Sequence, residues 1–124
     1  MNLRPLKICL AIAALWGLLA PQATLAHAFP EHMEPRVGAV IDNVPGQVQI
    51  WFDADLEPTF STLRVLDAQG RQVNRDPGQV NAGQARLLEA RLPPLARGVY
   101  HVYWRVIARD GHVTEGDYAF TVGR

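Results

Sequence analysis

Gly98-Val99-Tyr100-His101-Val102-Tyr103-Trp104-Arg105-Val106 is the stretch whose pattern decides the fold. Tyr100, Val102, Trp104 and Val106 fall on one side of an extended chain, and His101, Tyr103 and Arg105 on the other. A period of two with one apolar and one polar face marks a strand of an antiparallel sheet packed on one side. The chain then turns at Asp110-Gly111 and alternates again, Tyr118, Phe120 and Val122 against Asp117, Ala119 and Thr121. Upstream, Gln47 to Phe52 sets Val48, Ile50 and Phe52 against Gln47, Gln49 and Trp51. Leu63 to Asp67 reads as a strand closed by the turn Asp67-Ala68-Gln69-Gly70, and Leu87 to Leu92 as a strand stopped by Pro93-Pro94. The polar stretch Asn74 to Gln84, with Pro77, Gly78 and Gly83, is expected to be loop. Trp104 and Phe120 are expected in the core. No amphipathic helix and no repeat interrupts the pattern. About six or seven short strands predict an all-β two-layer Greek-key β-sandwich.

The 124 residues are 48% apolar and 19% charged, with 12 basic and 12 acidic side chains, the composition of one globular domain. The N-terminus has its own character. Arg4 and Lys7 precede an apolar run from Ile8 to Ala20, then Pro21 and the small-residue ending Ala23-Thr24-Leu25-Ala26. This order predicts a cleaved secretory signal peptide over residues 1–26 and a domain over 27–124. The rival reading, a retained anchor, needs about 20 apolar residues, more than this run supplies.

Cleavage leaves 98 of the 124 residues, with all 12 acidic side chains but only 10 of the 12 basic ones, a net charge of −2. Such a domain exerts no long-range pull on phosphate backbones, so no nucleic-acid partner is expected. Cys9, the only cysteine, leaves with the signal, so neither a disulfide nor a thiolate ligand is available and any metal must be held by nitrogen, oxygen or thioether. Every basic residue from position 27 onward is arginine, which makes the α-amino group the only primary amine of the processed chain. No glycine-rich phosphate loop leads into a helix, and no serine or cysteine nucleophile is paired with a base.

Cleavage after Ala26 would make His27 the first residue. A terminal histidine offers one metal two nitrogens, its amine and its own imidazole Nδ1, and an α-amino group with a pKa of about 7.7 to 8.0 yields its proton readily to a Lewis acid. Asp110-Gly111-His112 is the second element. Residues i and i+2 of extended backbone share a side, so a carboxylate and an imidazole project together while Gly111 lets the chain bend. On the residues alone, the same tripeptide also reads as a polar turn in which Asp110 accepts backbone hydrogen bonds and His112 faces solvent. Together the two elements supply an amine, two imidazoles and a carboxylate. Nitrogen and oxygen donors in a tetragonal array suit Cu(II), with nickel and zinc left open.

The chain resembles the CopC-like periplasmic copper-resistance proteins. The resemblance runs through His27-Ala28, Pro35-Arg36-Val37-Gly38, Phe60-Ser61 and Asp67-x-x-Gly70. It continues through Gly98-Val99-Tyr100-His101-Val102-Tyr103-Trp104-Arg105, Asp110-Gly111-His112 and Gly116-x-Tyr118-x-Phe120. It implies a Greek-key β-sandwich or barrel of immunoglobulin-like or cupredoxin-like type, and a periplasmic carrier or chaperone, not an enzyme, that binds one Cu(II) per chain in copper resistance or homeostasis. The resemblance assigns amine and imidazole to His27, a carboxylate to Asp110 and the second imidazole to His112, together a histidine brace. It also implies a membrane partner of the CopD type; the domain itself is expected to be monomeric.

Two features depart from the family pattern. Where some members carry a glutamate in a Phe-Ser-Glu segment, this chain has Phe52-Asp53-Ala54, leaving Asp53, Asp55 or Glu57 as substitutes or as a solvated acidic strand exit. Met33 is the only methionine after the signal, so no high-affinity Cu(I) site is expected. His32 is expected in an exposed loop, as an auxiliary donor or none, and His101 on the polar strand face. Arg105 supports the site from outside or pairs with a surface carboxylate. Two other readings stand beside the carrier: a metal-free immunoglobulin-like interaction domain, and a small histidine-brace copper monooxygenase, for which 98 residues leave little room.

Overall fold

The computed structural model describes residues 27–123. The expected signal segment, residues 1–26, lies outside the described residues. Eight strands are present and, among the described residues, no helix: β1 (Pro30–Glu34), β2 (Val40–Ile41), β3 (Gln47–Phe52), β4 (Thr62–Leu66), β5 (Gln79–Asn81), β6 (Gln84–Arg91), β7 (Gly98–Ile107) and β8 (Val113–Val122). They form two four-stranded sheets, ordered β1-β3-β6-β5 and β2-β8-β7-β4, in a Greek-key sandwich. All pairings are antiparallel except β2 with β8.

The alternation of the long strands fixes which faces meet. Val48, Ile50 and Phe52 of β3 are buried, as are Tyr100, Val102, Trp104 and Val106 of β7 and Tyr118, Phe120 and Val122 of β8. Phe52 meets Trp104 edge-on across the sandwich with ring centroids 5.3 Å apart, and Tyr100 stacks on Phe120 at 5.7 Å. The Trp104 ring lies over Gly116, where an added Cβ would come 2.6 Å from Cζ2, so this position must lack a side chain.

Three strands differ from the sequence expectation. β5 lies within the stretch expected to be loop and pairs with β6, which itself begins at Gln84. β1 and β2 likewise have no apolar alternation to announce them. All three are edge strands, held by backbone pairing, which polar side chains do not prevent. Asn74, at the start of the presumed loop, is buried: its Oδ1 accepts from Val65 N–H at 2.7 Å, and its Nδ2 donates to the carbonyls of Leu63 at 3.0 Å and Asp76 at 2.5 Å.

Candidate metal centre

The β7–β8 connection carries two of the three candidate ligands, Asp110 and His112. Ile107 pairs with Val113, and between them the Gly111 N–H donates to Ala108 O at 2.8 Å and the Ala108 N–H to His112 O at 3.0 Å. Gly111 has φ +88°, a left-handed conformation that glycine adopts without a Cβ penalty. The Asp110 Oδ1 accepts from the His112 N–H at 3.0 Å, the Asx-turn bond that fixes the carboxylate beside the imidazole. The bond expected of a polar turn thus forms, whereas the His112 side chain, expected there to face solvent, is only partly exposed, at 39%.

His112 Nδ1 lies 3.0 Å from Asp110 Oδ2, yet the two are not aligned for a hydrogen bond and Nδ1 is buried without a well-directed partner. Two donors about 2.0 Å from one ion at right angles stand about 2.8 Å apart, so this separation suits neighbouring positions around a shared cation. The Asp110 carboxyl is held below the ordinary carboxylate range, first by the His112 N–H, with the His112 and His27 imidazoles acting in the same direction.

His27, the third candidate, lies 85 positions earlier in the chain. Its ring centroid lies 4.7 Å from that of His112, the planes inclined by 51°. His27, Asp110 and His112 therefore come together. Among the described residues, no three His, Cys, Asp or Glu side chains already form a cage, so enclosing an ion needs the nitrogen of residue 27 or a turn of its ring.

The secondary candidates lie elsewhere or are engaged. His32 belongs to β1, not a loop, with Nε2 2.9 Å from Glu34 Oε1 and its ring 5.1 Å from Trp51. Met33 packs against the core. His101 lies on the outer face of β7 near Tyr103, at 6.4 Å between centroids. Arg105 reaches Glu115 at 4.0 Å, both half-exposed or more, which is the surface pairing. Asp55 faces Arg86 at 3.3 Å and Arg109 at 3.9 Å, and the Glu57 N–H donates to Ile107 O. Asp53 has a different role: its Oδ1 accepts from Phe29 N–H at 2.7 Å. Thr114, passed over in the sequence, donates through Oγ1 to Ala28 O at 2.6 Å. Its place two residues after His112, on the same side of the chain, was the available signal.

A family model described as a CopC domain matches residues 31–123, which includes Asp110 and His112 and begins after His27. The copper transport protein CutJ of Bacillus subtilis (strain 168) is 25% identical over 114 residues, 91% of this chain but 21% of that protein. The chain thus spans about a fifth of CutJ. Protein YobA of Escherichia coli (strain K12) is 29% identical over 113 residues, 90% of this chain and 91% of that one. Among solved structures, CopC from Methylosinus trichosporium OB3b has a TM-score of 0.72 at 34% identity, covering 77% of this chain and 93% of that one. PcoC, a methionine-rich copper resistance protein from Escherichia coli, shares the fold with a TM-score of 0.69 at 24% identity, covering 79% and 100%.

Proposed function

The chain belongs to the CopC domain family, and from that premise we propose that it is a periplasmic Cu(II) carrier serving copper resistance or homeostasis, without turnover of its own. One ion is held by the amine and imidazole of His27, the Asp110 carboxylate and the His112 imidazole. The observation that carries this reading is the approach of the His27 and His112 rings to 4.7 Å beside Asp110, although the residues are 85 positions apart. Nitrogen and oxygen donors without sulfur favour Cu(II), the strongest divalent competitor for such a set. The deprotonated amine and two neutral imidazoles supply lone pairs, and the carboxylate offsets one unit of the ion's charge.

The resemblance to the wider family adds a membrane partner to this reading. A site made of a strand-end turn and a half-buried leading residue lies at the surface, where an ion can be passed on. That partner is a membrane copper transport protein of the CopD type. PcoC is described as methionine-rich, whereas Met33 is this chain's only methionine after position 1 and is turned toward the core. Soft Cu(I) therefore finds no thioether cluster, and the cargo is the cupric ion.

The test is a single glycine added before His27 in the processed protein. It moves the amine off the chelating residue and is expected to weaken Cu(II) by more than about 100-fold, beyond what outer partners of a metal site contribute. The parent protein should give a one-to-one complex with a tetragonal, nitrogen-rich EPR spectrum. Because no lysine follows position 26, an amine-selective reagent should label only the N-terminus, and copper should block it. Equal affinity in the extended protein would refute the amine ligand.

A further inference from the structure

The backbone that carries His27 is fastened at two points. Ala28 is fully buried among the core residues, and its carbonyl accepts the hydroxyl of Thr114 on β8 at 2.6 Å. Phe29 is tied to the exit of β3 in both directions: its N–H donates to Asp53 Oδ1 at 2.7 Å, and its carbonyl accepts the Asp53 N–H at 2.9 Å. Phe29 itself is 55% exposed, so the polar bonds, not burial of its ring, hold its backbone in place.

We propose that Thr114 and Asp53 are positioning residues that hold the chain at 28–29 so that His27 meets Asp110 and His112 already ordered. The inference rests on the ligand set proposed above. A chelating residue at a free terminus loses conformational freedom when it closes on an ion, and that loss subtracts from affinity. Here the two residues following His27 have lost it before the ion arrives. Thr114 acts on the same strand that begins just after His112, so one element positions both imidazoles. Asp53 occupies the stretch that the sequence offered as a replacement ligand; its carboxylate instead orders the terminus.

The experiment compares Cu(II) affinity, by competition with a chelator at fixed pH, among processed proteins that circular dichroism shows to be folded. Thr114→Val keeps the shape and removes the donor, and Asp53→Ala removes the acceptor; each is expected to weaken Cu(II) about tenfold, the lower end for outer partners of a metal site. Thr114→Ser and Asp53→Asn retain the bonding atoms and should restore parental affinity. In a His112→Ala background, positioning the terminus against the second imidazole no longer counts, so Thr114→Val should add little. Parental affinity in Thr114→Val, or the same tenfold loss with and without His112, would overturn the positioning role. If His112→Ala weakens copper binding while Thr114→Val does not, only the clamp fails. If His112→Ala itself leaves affinity unchanged, the ligand set fails and the clamp with it.

Discussion

The connection from Asp67 to Asn74 and the connection from Asp110 to Thr114 begin with the same device and end in different states. In each, an aspartate accepts the N–H two residues on: Asp67 Oδ1 from Gln69 at 2.9 Å, Asp110 Oδ1 from His112 at 3.0 Å. Each has a left-handed glycine, Gly70 at φ +79° and Gly111 at +88°. In the first, the aspartate and the buried asparagine are both engaged nearby. Asp67 also takes the Arg71 N–H at 2.9 Å and its Nε at 3.2 Å, while Asn74 closes onto the carbonyl or N–H groups of Leu63, Val65 and Asp76. In the second, the imidazole is left with a buried nitrogen lacking an aligned partner, and the imidazole of His27, remote in sequence, stands 4.7 Å from it between ring centroids. A turn whose hydrogen bonds are complete stabilises the fold; a turn that leaves a donor atom free beside a second one can take a ligand.

Removing the central group of each connection should separate the two roles most widely. Asn74→Ala leaves buried backbone groups of β4 without partners and should cost about 3 kcal/mol of stability. Copper affinity of the fraction that folds should match the parent. Asp110→Ala should do the reverse, weakening Cu(II) about 100-fold or more, with a thermal midpoint near the parent's. Denaturant titration and chelator competition on both proteins check the crossover. A copper loss in Asn74→Ala comparable with that in Asp110→Ala would erase the distinction.

The glycines sharpen it at smaller amplitude. No atom lies within 4 Å of a Cβ built on Gly70 or Gly111, so alanine at either meets only the backbone penalty. Gly70→Ala and Gly111→Ala should therefore lose similar stability, about 1–2 kcal/mol, as measured by denaturant titration. Only Gly111→Ala should also weaken copper, because the strain re-aims Asp110 and His112. Equal copper affinity in the two would mean that the aim of the second turn does not matter.

The same contrast explains what the sequence made legible. The faces of β3, β7 and β8 could be read because large apolar residues alternate there, and burial follows that alternation. β1, β2 and β5 could not, since edge pairing uses the backbone and leaves no side-chain period. Asn74 was hidden for a related reason: a buried asparagine and a solvated one are the same letter, and its partners lie on β4 and in the loop after it. At the candidate site, His27, Asp110 and His112 stood out by residue type and by likeness to a family. Thr114 did not, and Asp53 stood out only as a substitute ligand or a solvated strand exit, because their bonds to Ala28 and Phe29 span 86 and 24 positions and depend on the register of the finished sandwich.

The smallest effect is in the titration of the two aspartates, and it tests whether the two turns differ where the structure says they do. Both carboxyls are held below the ordinary range, and in both the largest cause is a backbone N–H, from Arg71 for Asp67 and from His112 for Asp110. A folded pKa below the unfolded value of about 3.9 means that each contributes stability above that pH and loses it as pH falls through the folded value. The side-chain contributions differ: Arg71 acts on Asp67, whereas the His112 and His27 imidazoles act on Asp110. In the metal-free protein, carboxyl ¹³C titration over about pH 2 to 6 should show the Asp110 midpoint rising in a His27→Ala/His112→Ala variant while Asp67 stays fixed. Arg71→Ala should move Asp67 alone. Neither midpoint should reach the ordinary value, because both substitutions leave the N–H in place. An Asp110 midpoint indifferent to both imidazoles would mean that they do not reach the carboxylate, and the second turn would then be as self-contained as the first.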